Sequence, residues 1–114
     1  MSGATDMDEQ QKLNDAKAQM LATKATLDDP TYTADLTPDQ QDDAIVKSAS
    51  LSTAIAKIEN TQIAAIADKV AANSAELQKA TADLAAANAQ IQNATALLNA
   101  AGGLLSVVGR IIAL

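Results

Sequence analysis

Side chains able to do chemistry are few in this sequence, and those present lack the company that catalysis needs. The 114 residues contain no His and no Cys. That removes the commonest general base and metal ligand, the thiolate nucleophile and zinc-thiolate sites. Ser, Thr and Lys remain, but no base stands ready to activate a nucleophile in the usual arrangement. Carboxylates cluster twice, as Asp28-Asp29 and Asp42-Asp43. A divalent ion could gather weakly there, yet neither pair has the spacing or the glycine of an EF-hand loop, and turn and capping roles account for both. Gly102-Gly103 lies in an apolar run without the lysine of a phosphate loop. Asn93-Ala94-Thr95 matches a glycosylation acceptor, but it falls within a helical pattern and no secretion signal precedes it. The expectation is therefore a protein that is not an enzyme, with no cofactor, no metal and no small-molecule substrate.

The elements that carry these residues must be helical and aromatic-poor. Of the hydrophobic residues, 27 are alanine, and the larger ones are 12 Leu, 8 Ile, 4 Val, 3 Met and the single Tyr32. Aromatics bury the most area per residue, so any core here must be built from aliphatics alone. Net charge is −6, unevenly placed: residues 1–43 hold ten acids and three lysines, and residues 44–114 hold four acids and five bases. An acidic head and a nearly neutral remainder lack the basic stripe that nucleic-acid binding requires. The acidic head suits solubility, or a docking face for a basic partner. The N-terminus has no basic segment followed by an apolar one, so no Sec signal peptide is expected. Synthesis in the cytoplasm follows, with signal-independent export to the cell surface or exterior left open.

Residues 1–37 read as an acidic helix and connector, and residues 38–114 as a long helix of the same structural domain. The first helix spans about residues 6–28, capped by Thr5 or Asp6. Leu13, Met20 and Leu27 form its apolar stripe. Pro30 ends it. Thr37-Pro38-Asp39-Gln40 is a helix restart, with Thr37 as N-cap, Pro38 in the first turn and Gln40 placed for a capping box. Folded back as a hairpin, the first helix reaches only residues 38–62, where Ile45, Leu51, Ile55 and Ile58 would meet its stripe.

Beyond that point a seven-residue period dominates. Ile63, Val70, Leu77, Leu84, Ile91, Leu98, Leu105 and Ile112 follow one another without a slip. Three residues after successive members come Ile66, Asn73, Ala80, Ala87, Ala94, Ala101 and Val108, usually Ala. The phase passes through Asn73-Ser74 and Gly102-Gly103, the two candidate interruptions. A sustained heptad is the signature of a coiled coil, and its Ala row implies close helix approach. The hairpin leaves this seam without a partner in its own chain. Each exposed Leu or Ile forfeits about 1.5–3 kcal/mol of burial, so the seam is expected to pack against other copies. The competing arrangement is a compact three-helix bundle broken near Asn73-Ser74, which satisfies the seam internally.

Residues 97–114 turn apolar on most sides. Leu97, Leu104 and Ile111 replace the polar face carried upstream by Lys69, Glu76, Asp83 and Gln90, and Arg110 is the one charge. A helix apolar all round is buried, here in an assembly. Membrane insertion through Leu97, Leu98, Leu104, Leu105, Val107, Val108, Ile111 and Ile112 is the alternative, at the short end of the ~17–25 residues a span needs and without an aromatic belt.

The sequence thus predicts an all-α, elongated helical hairpin that assembles as a coiled-coil bundle, tube or filament. Its partner would be further copies of itself, through Ile63, Val70, Leu77, Ala80, Leu84, Ala87, Ile91, Ala94, Leu98, Ala101, Leu105, Val108 and Ile112. A membrane-anchored protein and a monomeric adaptor or chaperone-like bundle are the alternatives. No nucleic-acid partner is expected.

Overall fold

The structure, a computed structural model, describes residues 2–112, with side chains from Asp8 onward. The first helix begins at Ser2, so Thr5 and Asp6 lie inside it and not at the N-cap position expected of them; the last two residues of the apolar segment lie outside the described residues. Six helices follow in order: α1 Ser2–Leu27, α2 Pro30–Thr33, α3 Pro38–Asn60, α4 Ile63–Ala72, α5 Ser74–Asn88 and α6 Ala94–Ile111. No strand occurs among the described residues. The all-α class expected from the sequence is what the fold shows. The single long helix is not.

Local chemistry explains where the chain turns. Asp29 caps the one-turn helix α2, its side chain accepting from the Thr31 amide at 2.9 Å. Thr37 opens α3 with the reciprocal bonds of a capping box: Gln40 N donates to Thr37 Oγ1 at 3.2 Å, and Thr37 N donates to Gln40 Oε1 at 3.1 Å. The helix ends at Asn60-Thr61. There the Asn60 amide donates to the Ala56 carbonyl at 2.8 Å and the Thr61 hydroxyl donates to the Lys57 carbonyl at 2.6 Å. These side chains satisfy carbonyls that the missing next turn would have used, and Thr61 and Gln62 are extended.

Asn73 only bends the path. Its amide still bonds the Lys69 carbonyl and its carbonyl still accepts from Leu77, so α4 and α5 form one kinked rod. The second true reversal comes at residues 89–93. Asn93 restarts the helix by accepting from the Ala96 amide at 3.1 Å, as an N-cap asparagine does. Gly102 and Gly103 lie inside α6 and neither has a positive φ, so the glycine pair does not interrupt the helix.

Four rods result: α1, α3, the α4–α5 rod and α6. The chain runs up, down, up, down. Helix α1 packs on α3 and on the α4–α5 rod, and α6 packs on α5 and α3, so α1 and α6 are opposite corners. Sequential neighbours α1 and α3 are antiparallel, as are α5 and α6, whereas α3 and α6 lie parallel, with Gln40 bonded to Thr95 near their N-termini. The body measures 50 × 22 × 17 Å, about the length of α1 plus its connections. The core is aliphatic throughout: Leu13, Met20, Leu51, Leu77, Leu84, Leu97, Leu104 and Ile111 are buried, with Ala16, Ala44, Ala54 and Ala101 at the closest approaches. Leu51, Ile55 and Ile58 meet the α1 stripe side as expected, but Ile45 points outward.

Candidate functional site

The residues expected to join one copy to another are mostly inside this one. Val70, Leu77, Leu84, Leu98, Ala101, Val108 and Ile112 are buried, as are Ala87 and Ala94 at the margin of the core. Ile63, Ala80, Ile91 and Leu105 are partly buried against the same cluster. The chain therefore supplies the partner that the elongated hairpin lacked. The two reversals at residues 61–62 and 89–93 do this by folding the seam into two rods, α4–α5 and α6, that pack on each other and on α1 and α3. Ile91 is not on a helix; it lies in the second reversal.

Within α6 the buried stripe differs from the heptad row. Leu97, Leu104, Val107, Val108 and Ile111 are buried, while Leu105 is only partly so. The residues proposed for membrane insertion are thus the same ones that fill the bundle core. The outward side of α6 is made of Thr95, Ala96, Asn99, Gly103, Ser106 and Arg110. It carries one charge, near its end. Arg110 pairs with Glu76 on α5 at 2.5 Å. Of the described helices, α6 alone is long and apolar enough to cross a membrane, and 44% of that 18-residue window is buried.

Polar groups tie the second reversal to the rest. The buried Thr23 hydroxyl lies 2.9 Å from Asn88 Oδ1 and 3.0 Å from the Gln19 carbonyl. The Asn88 amide reaches Gln19 Oε1 at 3.0 Å and its carbonyl at 3.2 Å. Tyr32, from the connector, donates its hydroxyl to the Ile91 carbonyl at 2.6 Å. Partial burial pushes the Tyr32 phenol up from its ordinary value, because the phenolate loses water there. Tyr32 thus closes the end of the bundle where the chain reverses, a role the sequence left undecided.

Charges elsewhere are mostly paired. Lys24 bonds Asp28 at 2.5 Å, and Ser48 of α3 donates to the same carboxylate. The Lys24 and Ser48 hydrogen bonds hold the Asp28 carboxyl below its ordinary range. Lys47 pairs with Asp43 at 2.8 Å, and Lys17 with Glu59 at 3.7 Å. Glu9 is buried, with Lys12 Nζ 3.7 Å away in its own helix. No group of three potential metal-ligating residues converges among the described residues. Asp29 serves instead as a cap, and Asp28 and Asp43 in ion pairs.

Two outward features remain. One is the uncharged side of α6. The other is on α3, where Ile45 is 70% exposed and Val46 is 59% exposed. Beside Val46 an open groove runs between α3 and α6, lined by Lys47, Ser50, Thr53, Gly102, Leu105 and Ser106. A Cβ at Gly102 would sit 3.2 Å from Lys47 Cε, so glycine lets the lysine stem lie across α6. No family model, curated protein or solved structure matches the chain.

Proposed function

We propose that the chain is a non-enzymatic interaction module: a monomeric four-rod helical bundle that presents outer faces to a protein partner, as an adaptor does. The supporting observation is the internal burial of the heptad seam. Once Val70, Leu77, Leu84 and Leu98 are occupied within one chain, the hydrophobic drive for joining copies through that seam is gone. Self-association into a bundle or filament, the role the heptad suggests, would need an outer face or an opened chain. The absence of His and Cys from the sequence, with no converging ligand group among the described residues, supports a non-catalytic role. Size-exclusion chromatography with light scattering over a hundredfold concentration range tests this. The expected mass is that of one chain, 11.7 kDa, at every concentration; mass that climbs with concentration, or regular fibres, returns the self-assembling reading to first place.

A second reading has its own support. The outer side of a solvent-facing core helix is usually polar, and that of α6 has a single charge. This composition suits a helix that leaves the bundle and enters lipid. In that case Arg110→Leu strengthens co-sedimentation with phosphatidylcholine vesicles, and near-unity helix content persists in lipid. No vesicle binding by either protein removes this reading.

A further inference from the structure

We propose that the outer face of α3 is a docking site for a basic amphipathic helix of another protein. The proposal rests on the interaction-module reading and names its surface. Asp39, Asp42, Val46, Ala49 and Thr53 follow at the three- and four-residue steps that line up on one helix side, and all are exposed. Ile45 lies beside them. From Asp39 to Thr53 the face is about 21 Å long at ~1.5 Å per residue, which suits a partner helix of three to four turns.

Folding alone does not account for this face. Single exposed apolar residues are ordinary on protein surfaces. Here two β-branched residues stand side by side on the outside of a helix, 70% and 59% exposed, where their stiff side chains also lower helix propensity relative to Ala. Val46 borders the groove toward α6, in which Leu105 is partly covered, and Ile45 borders the groove toward α1. A partner helix lying along α3 would seat its apolar row on Val46 and Leu105 and cover Ile45 with its opposite edge.

Charge identifies the partner. Asp39 suits the first turn of α3 through the helix dipole, but Asp42 lies a turn further on. Among the described residues neither forms an ion pair, nor does Asp35 just upstream, while the nearby lysines are already engaged, Lys24 by Asp28 and Lys47 by Asp43. A second copy supplies little of the missing positive charge. Of the chain's eight bases, Lys12, Lys17, Lys24, Lys47, Lys79 and Arg110 are in ion pairs and Lys57 is not free, which leaves Lys69 alone to face Asp35, Asp39 and Asp42. A different, basic chain matches all three. Such steering speeds encounter and weakens with salt.

The test uses the full chain and a fluorescein-labelled 18-residue helix built from Leu on one face and Lys on the other. Fluorescence anisotropy measures affinity, and amide chemical shifts locate the peptide. The expected result is saturable binding with shifts centred on residues 39–53. Ile45→Gln with Val46→Gln weakens it at least tenfold at unchanged thermal stability. Asp39→Asn with Asp42→Asn weakens it severalfold and flattens its salt dependence. A Leu/Glu peptide of equal length does not bind. The proposal is overturned by no binding, by equal affinity in both variants, by shifts on another face, or by self-association of the chain that the Ile45/Val46 variant abolishes. If the chain is monomeric and the peptide fails, only this surface is wrong; concentration-dependent mass that persists in the variant sinks the interaction-module reading as well.

Discussion

Helices α1 and α6 sit at opposite corners of the bundle and bury their inner sides equally well, yet their outer sides differ. Among its described side chains α1 spaces Asp8, Lys12, Asp15, Lys17 and Lys24 along its length, with Glu9 buried. Helix α6 has only Arg110. Both are stable in the fold because burial depends on the inner stripe: Leu13, Ala16 and Met20 in one, Leu97, Ala101 and Leu104 in the other. The contrast teaches that solvent-facing charge is not what holds a helix in this bundle: α6 keeps its place through its inner stripe, with one charged residue on its outer side.

The most damaging way to probe the contrast is in the core. Leu84→Ala and Leu104→Ala each remove a fully buried side chain and should cost about 2–5 kcal/mol in urea unfolding. For a domain whose whole stability is on the order of 5–15 kcal/mol, that is a large fraction. The loss should not depend on protein concentration; a loss that shrinks as concentration rises would mean that Leu84 packs between chains.

Next in size is the polar tie between α1 and the second reversal. Asn88→Ala leaves Gln19 and Thr23 with fewer partners, and it should cost about 1–3 kcal/mol by the same assay. Tyr32→Phe, which deletes only the bond to the Ile91 carbonyl, should cost about 0.5–1.5 kcal/mol. Equal melting of wild type and Asn88→Ala would show that the reversal is held by apolar packing alone.

The helical class, the break at Pro30, the capping box at Thr37 and the α1 stripe are legible in the sequence because each depends on residues next to one another. The two reversals are harder to see. Asn60-Thr61 ends α3 through side chain to carbonyl bonds, and Asn93 caps α6, but neither site has the Pro or Gly that marks most helix ends. The heptad starts at Ile63, just past the first turn, and runs through the second because Ile91 falls in it. Period alone cannot tell one long helix from successive helices that happen to keep its phase. The informative signal was the change of face in the last segment: Leu97, Leu104 and Ile111 appear on what had been the polar side, and they are the residues that fill the core. A stripe that rotates marks a new helix with a new neighbour. Ile45 turns outward, against the sequence expectation, because apolar spacing on α3 fits two faces and packing selects Leu51, Ile55 and Ile58.

The smallest effects are electrostatic. Tyr32 is the only aromatic residue, so absorbance near 295 nm reports its ionisation alone. Its pKa is raised in the fold, so its contribution is fully present below the ordinary value of about 10 and is lost as pH rises through the folded value. The titration should shift down to about 10 in urea; identical curves in both conditions would remove Tyr32 from the bundle end. Asp28 has the opposite sign. Its pKa is lowered, so its contribution is present above the ordinary Asp value and fades as pH falls through the folded one. Because the pair is exposed and screened, Asp28→Asn should blunt the acid loss of stability only slightly, as thermal melts from neutral to acid pH would show.

The central claim is that one chain closes its own seam by reversing at residues 89–93. The chain lacks Cys, so spin labels can be placed at will. Glu76 and Arg110 touch across α5 and α6 at 2.5 Å, whereas a continuous helix would separate them by about 50 Å at ~1.5 Å per residue. Labels at Glu76→Cys and Arg110→Cys, diluted with unlabelled protein and read by double electron–electron resonance, should give a short separation, within about 20 Å once label length is included. A distance near 50 Å would mean that the helix runs on unbroken and that the seam faces other chains.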